Sequence, residues 1–352
     1  MISAVVINWN GKHYLEDCLE SVLGQSPSPD EVLLVDNHSD DGSREFAADR
    51  FPQVRVVDVG YNAGPAYARN FGVEAAKYGR VLLLDNDVTM QPGALSSMVA
   101  TLEANPEVAV VQPRSVCADR PDTVHYDGTD IHYLGLLVLH NWFAPLVDAQ
   151  EPDSQNGGLV ALCFVTEREK FLSVGGFNPD LFILFEDTDF AWRLRMTGVQ
   201  IRLDTSAIVH HGGGTKNLSL RGAQSTYPAQ RVYLHSRNRW VVLLTCLHWR
   251  SLLFLMPAEL AFEAVQFLFA CGKGRPLAWV RGKLALARLL PRVWKFRRGT
   301  QRRRQVPDRE LLVADPLVLN PGLAERGLTR VARSCMDFGF ATWWKIVRRL
   351  CG

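Results

Sequence analysis

The chain has no Cys-x-x-Cys pair. Its seven cysteines, Cys18, Cys117, Cys163, Cys246, Cys271, Cys335 and Cys351, are scattered and odd in number, which argues against a disulfide framework or a thiolate zinc site and fits a reducing compartment. No Gly-x-Gly-x-x-Gly follows the first strand-like run and no Walker-type Gly-Lys-Ser/Thr occurs, so a hydride-transfer enzyme and a P-loop ATPase are disfavoured. The N-terminus opens directly on strand-like ISAVVI, without a basic region and a long apolar segment; no secretory leader is expected. Between residues 240 and 271 the chain is rich in Leu, Val, Phe and Trp, but Arg250, Glu259 and Glu263 interrupt it and Pro257 would kink a helix. No uncharged run there reaches the roughly 20 residues of a spanning helix. Acids are missing from the segment that follows: from Lys273 to Arg304 there are twelve Lys or Arg and no Asp or Glu.

What is present belongs to a folded protein. With 47% hydrophobic and 22% charged residues, disorder is not the default. The 352 residues suffice for one large α/β domain plus an appendage. Residues 80–88 (RVLLLDNDV) are the stretch around which the rest is organised. Val81 to Leu84 are uninterruptedly apolar, as in a strand buried on both faces. The run stops at Asp85 and Asp87, two carboxylates that can converge on one spot where the chain leaves the sheet. Ligands of open α/β sheets bind at that spot, and a hard divalent cation there retains room for substrate phosphates. A plain polar turn accounts for the same three residues.

The pattern of strand, polar loop and amphipathic helix recurs along the first half. Residues 4–7, 31–35, 54–59 and 81–84 read as strands, and each ends in a loop with Asn or Asp. Helical spacing follows at Tyr14, Leu15, Cys18, Leu19, Val22 and Leu23, again to about Arg50, and again over residues 65–77. Four strands separated by helices predict a parallel doubly wound sheet with a nucleotide-type crevice at its polar rim. Residues 113–156 contain His125, Tyr126, Asp127, Asp130, His132, His140 and Trp142, to which no chemistry is assigned. Strands are expected again over residues 157–165, 199–203 and 207–209. Between them a helix should begin at the acidic cluster Glu186, Asp187 and Asp189, with Gly198 as its C-terminal cap. A helix start keeps a carboxylate ionised, as a general base requires. Capping alone would also favour acids there, though three in four residues exceed what it needs.

The segments AVVINWNG (4–11), VDNHSDDGS (35–43), NAGPAYARNFG (62–72), LDND (84–87), GGFNPDLFILFEDTD (175–189) and VHHGGGT (209–215) together resemble the family 2 inverting glycosyltransferases of GT-A fold. Within them the bacterial rhamnosyltransferase-like subset of cell-surface polysaccharide synthesis is the most similar. The resemblance covers residues 2 to about 240, and its specificity lies in the number and order of motifs. It implies that Asp36 accepts a hydrogen bond from the donor base beside the Asn8 to Asn10 loop, that Asn62 and Arg69 line the nucleotide, and that Asp85 faces the ribose. It further implies Asp87 as ligand of a Mg²⁺ or Mn²⁺ bridging the diphosphate, His210 (less so His211) as the third metal position, and Asp187 as catalytic base. Glu186, Asp189 and Trp192 are then acceptor-side or supporting residues. The stretch 212–222, with three consecutive glycines, reads as a candidate lid or as a plain surface loop.

These readings place a GT-A catalytic domain at residues 1–239 and an amphipathic, basic helical region at 240–352. The tail is expected to lie on an anionic bilayer surface, peripheral on the cytoplasmic face of the inner membrane, near a glycan or polyprenyl-linked acceptor. Residues 338–350, with Trp343, Trp344, Lys345, Arg348 and Arg349, share its aromatic and basic composition. A helical subdomain packed on the core, or a homodimer contact, is the competing reading of the tail. No RNA-binding module pattern is present, so no nucleic-acid partner is expected. The expected reaction is inverting, metal-dependent transfer of a sugar from a nucleotide diphosphate donor, dTDP-rhamnose above others, to an acceptor hydroxyl. The alternatives are a sugar nucleotidyltransferase, whose Arg/Lys-containing phosphate loop residues 8–12 do not resemble, and a catalytically inactive nucleotide-binding scaffold.

Overall fold

The structure, a computed structural model, describes residues 1–150, 155–213, 227–317 and 328–352. Two compact units are distinguished: residues 1–129, 140–194 and 199–212 form one, and residues 130–139, 195–198 and 213–352 form the other.

The first unit is built on a ten-stranded sheet. In chain order its elements are β1 (Ile2–Asn8), α1 (Lys12–Leu23), β2 (Glu31–Asp36), α2 (Ser43–Arg50), β3 (Arg55–Asp58), α3 (Gly64–Ala75), β4 (Arg80–Asp85), β5 (Val88–Met90), α4 (Ala94–Ala104), β6 (Val108–Cys117) and β7 (Arg120–Tyr126). After a hairpin of β8 (Thr129–His132) and β9 (Leu136–Leu139) come β10 (Gln155–Asn156), β11 (Cys163–Glu167), α5 (Arg168–Ser173), α6 (Glu186–Arg195) and β12 (Gln200–His211). The strand order is β10-β12-β6-β11-β4-β1-β2-β3, with β5 on β12 and β7 on β6. Strands β3, β2, β1 and β4 run parallel, as the recurring pattern predicts. β11 then enters antiparallel between β4 and β6, making the sheet mixed.

Helices cover both faces because the middles of the central strands, residues 4–7, 32–35 and 81–84, are apolar and buried on both sides. Ala4, Val6, Leu34, Leu82 and Leu84 pack under α1, α2 and α4 in one core. The opposite face carries α3 at short range: a Cβ on Gly72 would collide with Val5 Cγ1, so glycine there permits the close approach. Each fully buried Leu or Val of this core contributes about 1.5–3 kcal/mol. Two expected strands, 199–203 and 207–209, are one, β12, whose pairing with β6 shifts register between Asp204 and Ile208. The extra residues form a turn closed by Asp204, which accepts from Ser97, Thr101 and Ser206.

The second unit is helical: α7 (Ala229–Cys246), α8 (Trp249–Gly272), α9 (Pro276–Arg302), α10 (Asp308–Leu311) and α11 (Leu328–Val347), with β13 (Leu312–Val313) added to β8 in a three-stranded sheet with β9. The expected boundary after residue 239 falls inside α7, a continuous helix whose buried residues lie on both sides of it. The character of the tail also differs from expectation. By length and composition α8 is apolar enough to cross a membrane, with a mean hydropathy of 1.6 over its best window and only 22% of that window buried. Its two acids do not face outward. Glu259 and Glu263 are buried and pair with Arg239 of α7 and Lys283 of α9. The outward stripe, Trp249, Leu253, Leu260 and Leu268, is apolar and more than half exposed. The helix is thus apolar on its outward side, with its two acids turned into the protein.

Candidate active site

Parallel pairing brings the polar strand ends to one rim. Asn8 is in register with Asp36, and Ile7 with Asp85. Asn8 is fully buried: its amide donates to Asp36 Oδ1 at 2.7 Å and to Ser39 Oγ at 3.1 Å, while its carbonyl oxygen accepts from Asn86 Nδ2 at 2.6 Å. Asn10, in the left-handed region at φ 50°, accepts from the Asp40 amide at 2.9 Å. Asp36 has zero exposure, and it also accepts from the Ser39 amide at 2.7 Å and the Ser39 hydroxyl at 2.6 Å. As placed here, Asp36 braces the loop from behind rather than presenting an oxygen to a base. Asn62 is exposed on the neighbouring loop, where its Oδ1 accepts from Asn37 at 3.1 Å.

Arg69 of α3 is the hub. It is 4% exposed, donates from Nη2 to Asp85 Oδ1 at 2.7 Å and from Nη1 to Glu186 Oε1 at 3.2 Å, and lies over the Phe177 ring. One planar guanidinium fork therefore joins the end of β4 to the start of α6, a geometry suited to Arg rather than Lys. Asn70, the next residue, donates to the Phe177 carbonyl and accepts from its amide, both at 2.8 Å. Burial pushes the carboxyl of Asp85 up, and the guanidinium works against that shift.

The acidic cluster sits at the start of α6, as its composition predicts, on an unusual lead-in. Phe182, Leu184 and Phe185 all have positive φ, from 63° to 72°, a conformation that costs non-glycine residues energy and concentrates at functional sites. Gly64 makes room for it, since a Cβ there would stand 2.6 Å from the Phe182 ring. Asp187 is half-buried and accepts from the Thr188 amide at 2.7 Å. Its carboxyl is raised by burial, against the Thr188 hydrogen bond. Glu186 is raised too, by burial and then by the Asp187 charge, and its Oε2 is buried without a hydrogen-bond partner.

Of the residues expected to be acceptor-side or supporting, Asp189 and Trp192 are placed for support rather than for contact with an acceptor. Asp189 has zero exposure and holds Arg193 at 2.7 Å, which in turn donates to the carbonyls of Val174 and Gly176. Trp192 is completely buried. Both side chains are fully buried, so neither is open to a ligand.

The histidine beside Asp87 is His211. Its Nε2 lies 3.2 Å from Asp87 Oδ2, whereas His210 Nε2 meets Gln91 Nε2 at 3.1 Å. Strand alternation separates the two, so only one can face Asp87. His211 Nδ1 in turn lies 2.8 Å from Nδ1 of His125, a residue to which the sequence alone assigns nothing. Asn37, Ser39 and Asn86 were likewise recoverable only as neighbours of named motif residues. Among the described residues no group of three or more His, Cys, Asp or Glu is arranged to hold a metal. One carboxylate and one imidazole remain a fitting pair for Mg²⁺ or Mn²⁺, which take most other ligands from water and substrate phosphates. Of the candidate lid, residues 214–222 lie outside the described residues.

Comparison with known proteins gives the family and agrees with the fold. The profile described as Glycosyl transferase family 2 matches residues 3–156, and that of Glycosyl transferase family group 2 matches residues 80–305, well over half of the chain. An N-acetylglucosaminyl-diphospho-decaprenol L-rhamnosyltransferase of Mycobacterium tuberculosis is 24% identical over 69% of this chain and 84% of its own length. A pre-mycofactocin glycosyltransferase of the same organism is 31% identical over 46% of this chain and 33% of its own. Among solved structures, S. aureus TarS 1–349 in complex with UDP aligns with TM-score 0.52 at 15% identity, over 99% of this chain and 91% of that one. GalNAc-T7 with UDP, GalNAc and Mn²⁺ aligns with TM-score 0.50 at 16% identity, over 67% of this chain and 48% of that one. The chain belongs to the family 2 glycosyltransferases, and it is a glycosyltransferase enzyme.

Proposed function

We propose that the protein transfers a sugar, rhamnose from dTDP-rhamnose above others, from a nucleoside diphosphate to a hydroxyl of a polyprenyl-linked glycan, with inversion. The observation that carries this reading is the Arg69 fork, which ties a donor-side carboxylate, Asp85, to the helix bearing the base candidate Asp187. The rhamnosyltransferase relative supports the donor sugar and the lipid-linked acceptor through its name.

Asp85 and Asn62 line the nucleoside pocket, and Asp36 shapes it from beneath through Asn8 and Ser39. Asp87 and His211 would hold a divalent cation, which supplies Lewis-acid neutralisation of the departing diphosphate when bound. GalNAc-T7 in its solved complex contains Mn²⁺. Asp187 takes the proton of the attacking hydroxyl, a role worth on the order of 10²–10⁴ in rate. The hydroxyl oxygen bonds to the anomeric carbon as the bond to diphosphate breaks, from the opposite face. Glu186, paired with Arg69, orients the base helix and leaves Asp187 to receive the proton.

The helical unit would hold the enzyme on the cytoplasmic face of the membrane. The outward stripe of α8 supplies apolar contact, and the exposed basic side chains Arg250, Arg281 and Arg288 nearby in sequence supply attraction to anionic headgroups. The two acids of α8 are paired inward with Arg239 and Lys283, so neither charge faces the bilayer.

A panel of nucleotide sugars screened by thermal shift, with and without Mn²⁺, tests the donor. Stabilisation by a thymidine, uridine or guanosine diphosphate sugar is expected. No stabilisation by any of them would remove the reading.

A further inference from the structure

We infer that His125 is a positioning residue for the cation site: it holds the ring of His211 with Nε2 facing Asp87 and can take the Nδ1 hydrogen bond that His211 must donate when Nε2 ligates a cation. The inference rests on the proposed cation at Asp87 and His211 and assigns a role to a side chain that no motif marks.

Three strands make the contact. β7 carries His125 and pairs with β6, which pairs in turn with β12 as far as His211. Nδ1 of His125 and Nδ1 of His211 are 2.8 Å apart. A neutral imidazole has one N–H and one lone pair, so a hydrogen bond at this distance needs a donor on one ring and an acceptor on the other. For His211 to offer a lone pair at Nε2, its proton must sit on Nδ1, and His125 Nδ1 is then the acceptor. Metal-bound histidines usually donate the second ring N–H to a fixed partner in this way. That partner is ordinarily a carboxylate, a carbonyl or water; here it is another imidazole.

His125 is well placed to be rigid. It is 3% exposed, its ring lies 4.7 Å from that of His211 and 5.7 Å from that of Phe143, and the chain around Phe143 is clamped to β7 by the Phe143 amide donating to the Val124 carbonyl at 3.0 Å. Water has little access to compete for Nδ1. On the far side of the His211 ring, Nε2 is 3.2 Å from Asp87 Oδ2. The line His125, His211, Asp87 thus aims one nitrogen from a buried anchor toward the rim.

The test is Mn²⁺ affinity, read by electron paramagnetic resonance of the full chain in thymidine diphosphate, with melting temperature measured alongside. His125→Phe keeps a ring and removes the acceptor; His125→Asn keeps an acceptor oxygen near the Nδ1 position. The expected result is Mn²⁺ binding weakened about 10–100-fold in His125→Phe and largely restored in His125→Asn, at similar melting temperatures. Native affinity in His125→Phe overturns the inference, and so does equal weakening in both variants, which marks a packing role. If the native protein binds no Mn²⁺, or His211→Ala binds it as tightly as the native chain, the cation site itself is wrong and the inference falls with it.

Discussion

Arg69 Nη1 meets Glu186 Oε1 at 3.2 Å across 117 residues of sequence. The same guanidinium holds Asp85 at 2.7 Å, so the donor-side rim and the base helix share one buried cation. This contact makes the acidic cluster of α6 part of the rim at the end of β4.

Replacement of Asp187 by Asn removes the proton acceptor and keeps the size and the Thr188 contact. We expect nucleotide binding near that of the parent and transfer slower by about 10²–10⁴. Isothermal titration with the nucleotide and a product assay separate the two; near-normal turnover would exclude Asp187 as base.

The pH dependence follows from burial. Asp187 and Glu186 both hold their protons to higher pH than ordinary carboxyls, chiefly through desolvation. Protonated Asp187 cannot accept, so kcat/KM should rise with pH through an inflection above the usual carboxylate range. For stability the sign is opposite: with Glu186 raised in the folded state, the native chain binds more protons than the unfolded one, and stability falls as pH rises above the ordinary Glu value. Glu186→Gln should therefore improve Tm, relative to the parent, more at about pH 8 than at about pH 5. An equal difference at both would contradict the shift.

The two adjacent histidines should separate functionally. His211→Ala is expected to weaken Mn²⁺ affinity by more than about tenfold, because Nε2 faces Asp87. His210→Ala should leave it unchanged, since that ring turns to Gln91. A reversed result would restore the assignment suggested by motif order.

Membrane contact is best tested by point changes, because truncation after Arg239 cuts α7 in the middle. Leu260→Glu and Leu268→Glu place charge on the outward stripe of α8. Losing a buried Leu costs about 1.5–3 kcal/mol, so vesicle binding should fall by tenfold or more per change. Unchanged sedimentation with anionic vesicles would place the stripe elsewhere.

Much of the first unit was legible because its first four strands are short and apolar and each ends at Asn or Asp. The first four strands, the order of their polar loops and the acidic helix start follow from local pattern; β5, β6 and β7 were not among the expected strands, and the strand expected over 157–165 begins only at Cys163. Less legible was the antiparallel insertion of β11, since a buried apolar run carries no sign of direction. The inward turn of Asp189 and Trp192 was hidden for a similar reason. Spacing along α6 was known, but which side would be buried was not.

For the tail, composition identified apolar, basic helices but assigned the polar face to water. Partners distant in sequence reversed that: Arg239 and Lys283 draw Glu259 and Glu263 inside, leaving the apolar side outward.

Taken alone, the amino-acid order determined the α/β class, the row of polar strand ends and the residues able to do the chemistry, because these depend on short-range periodicity and side-chain type. Tertiary structure decided which histidine stands at Asp87, that Arg69 links two carboxylates, and that His125 backs His211. Those are relations between side chains dozens of residues apart, set by strand pairing and register, and no local spacing encodes them.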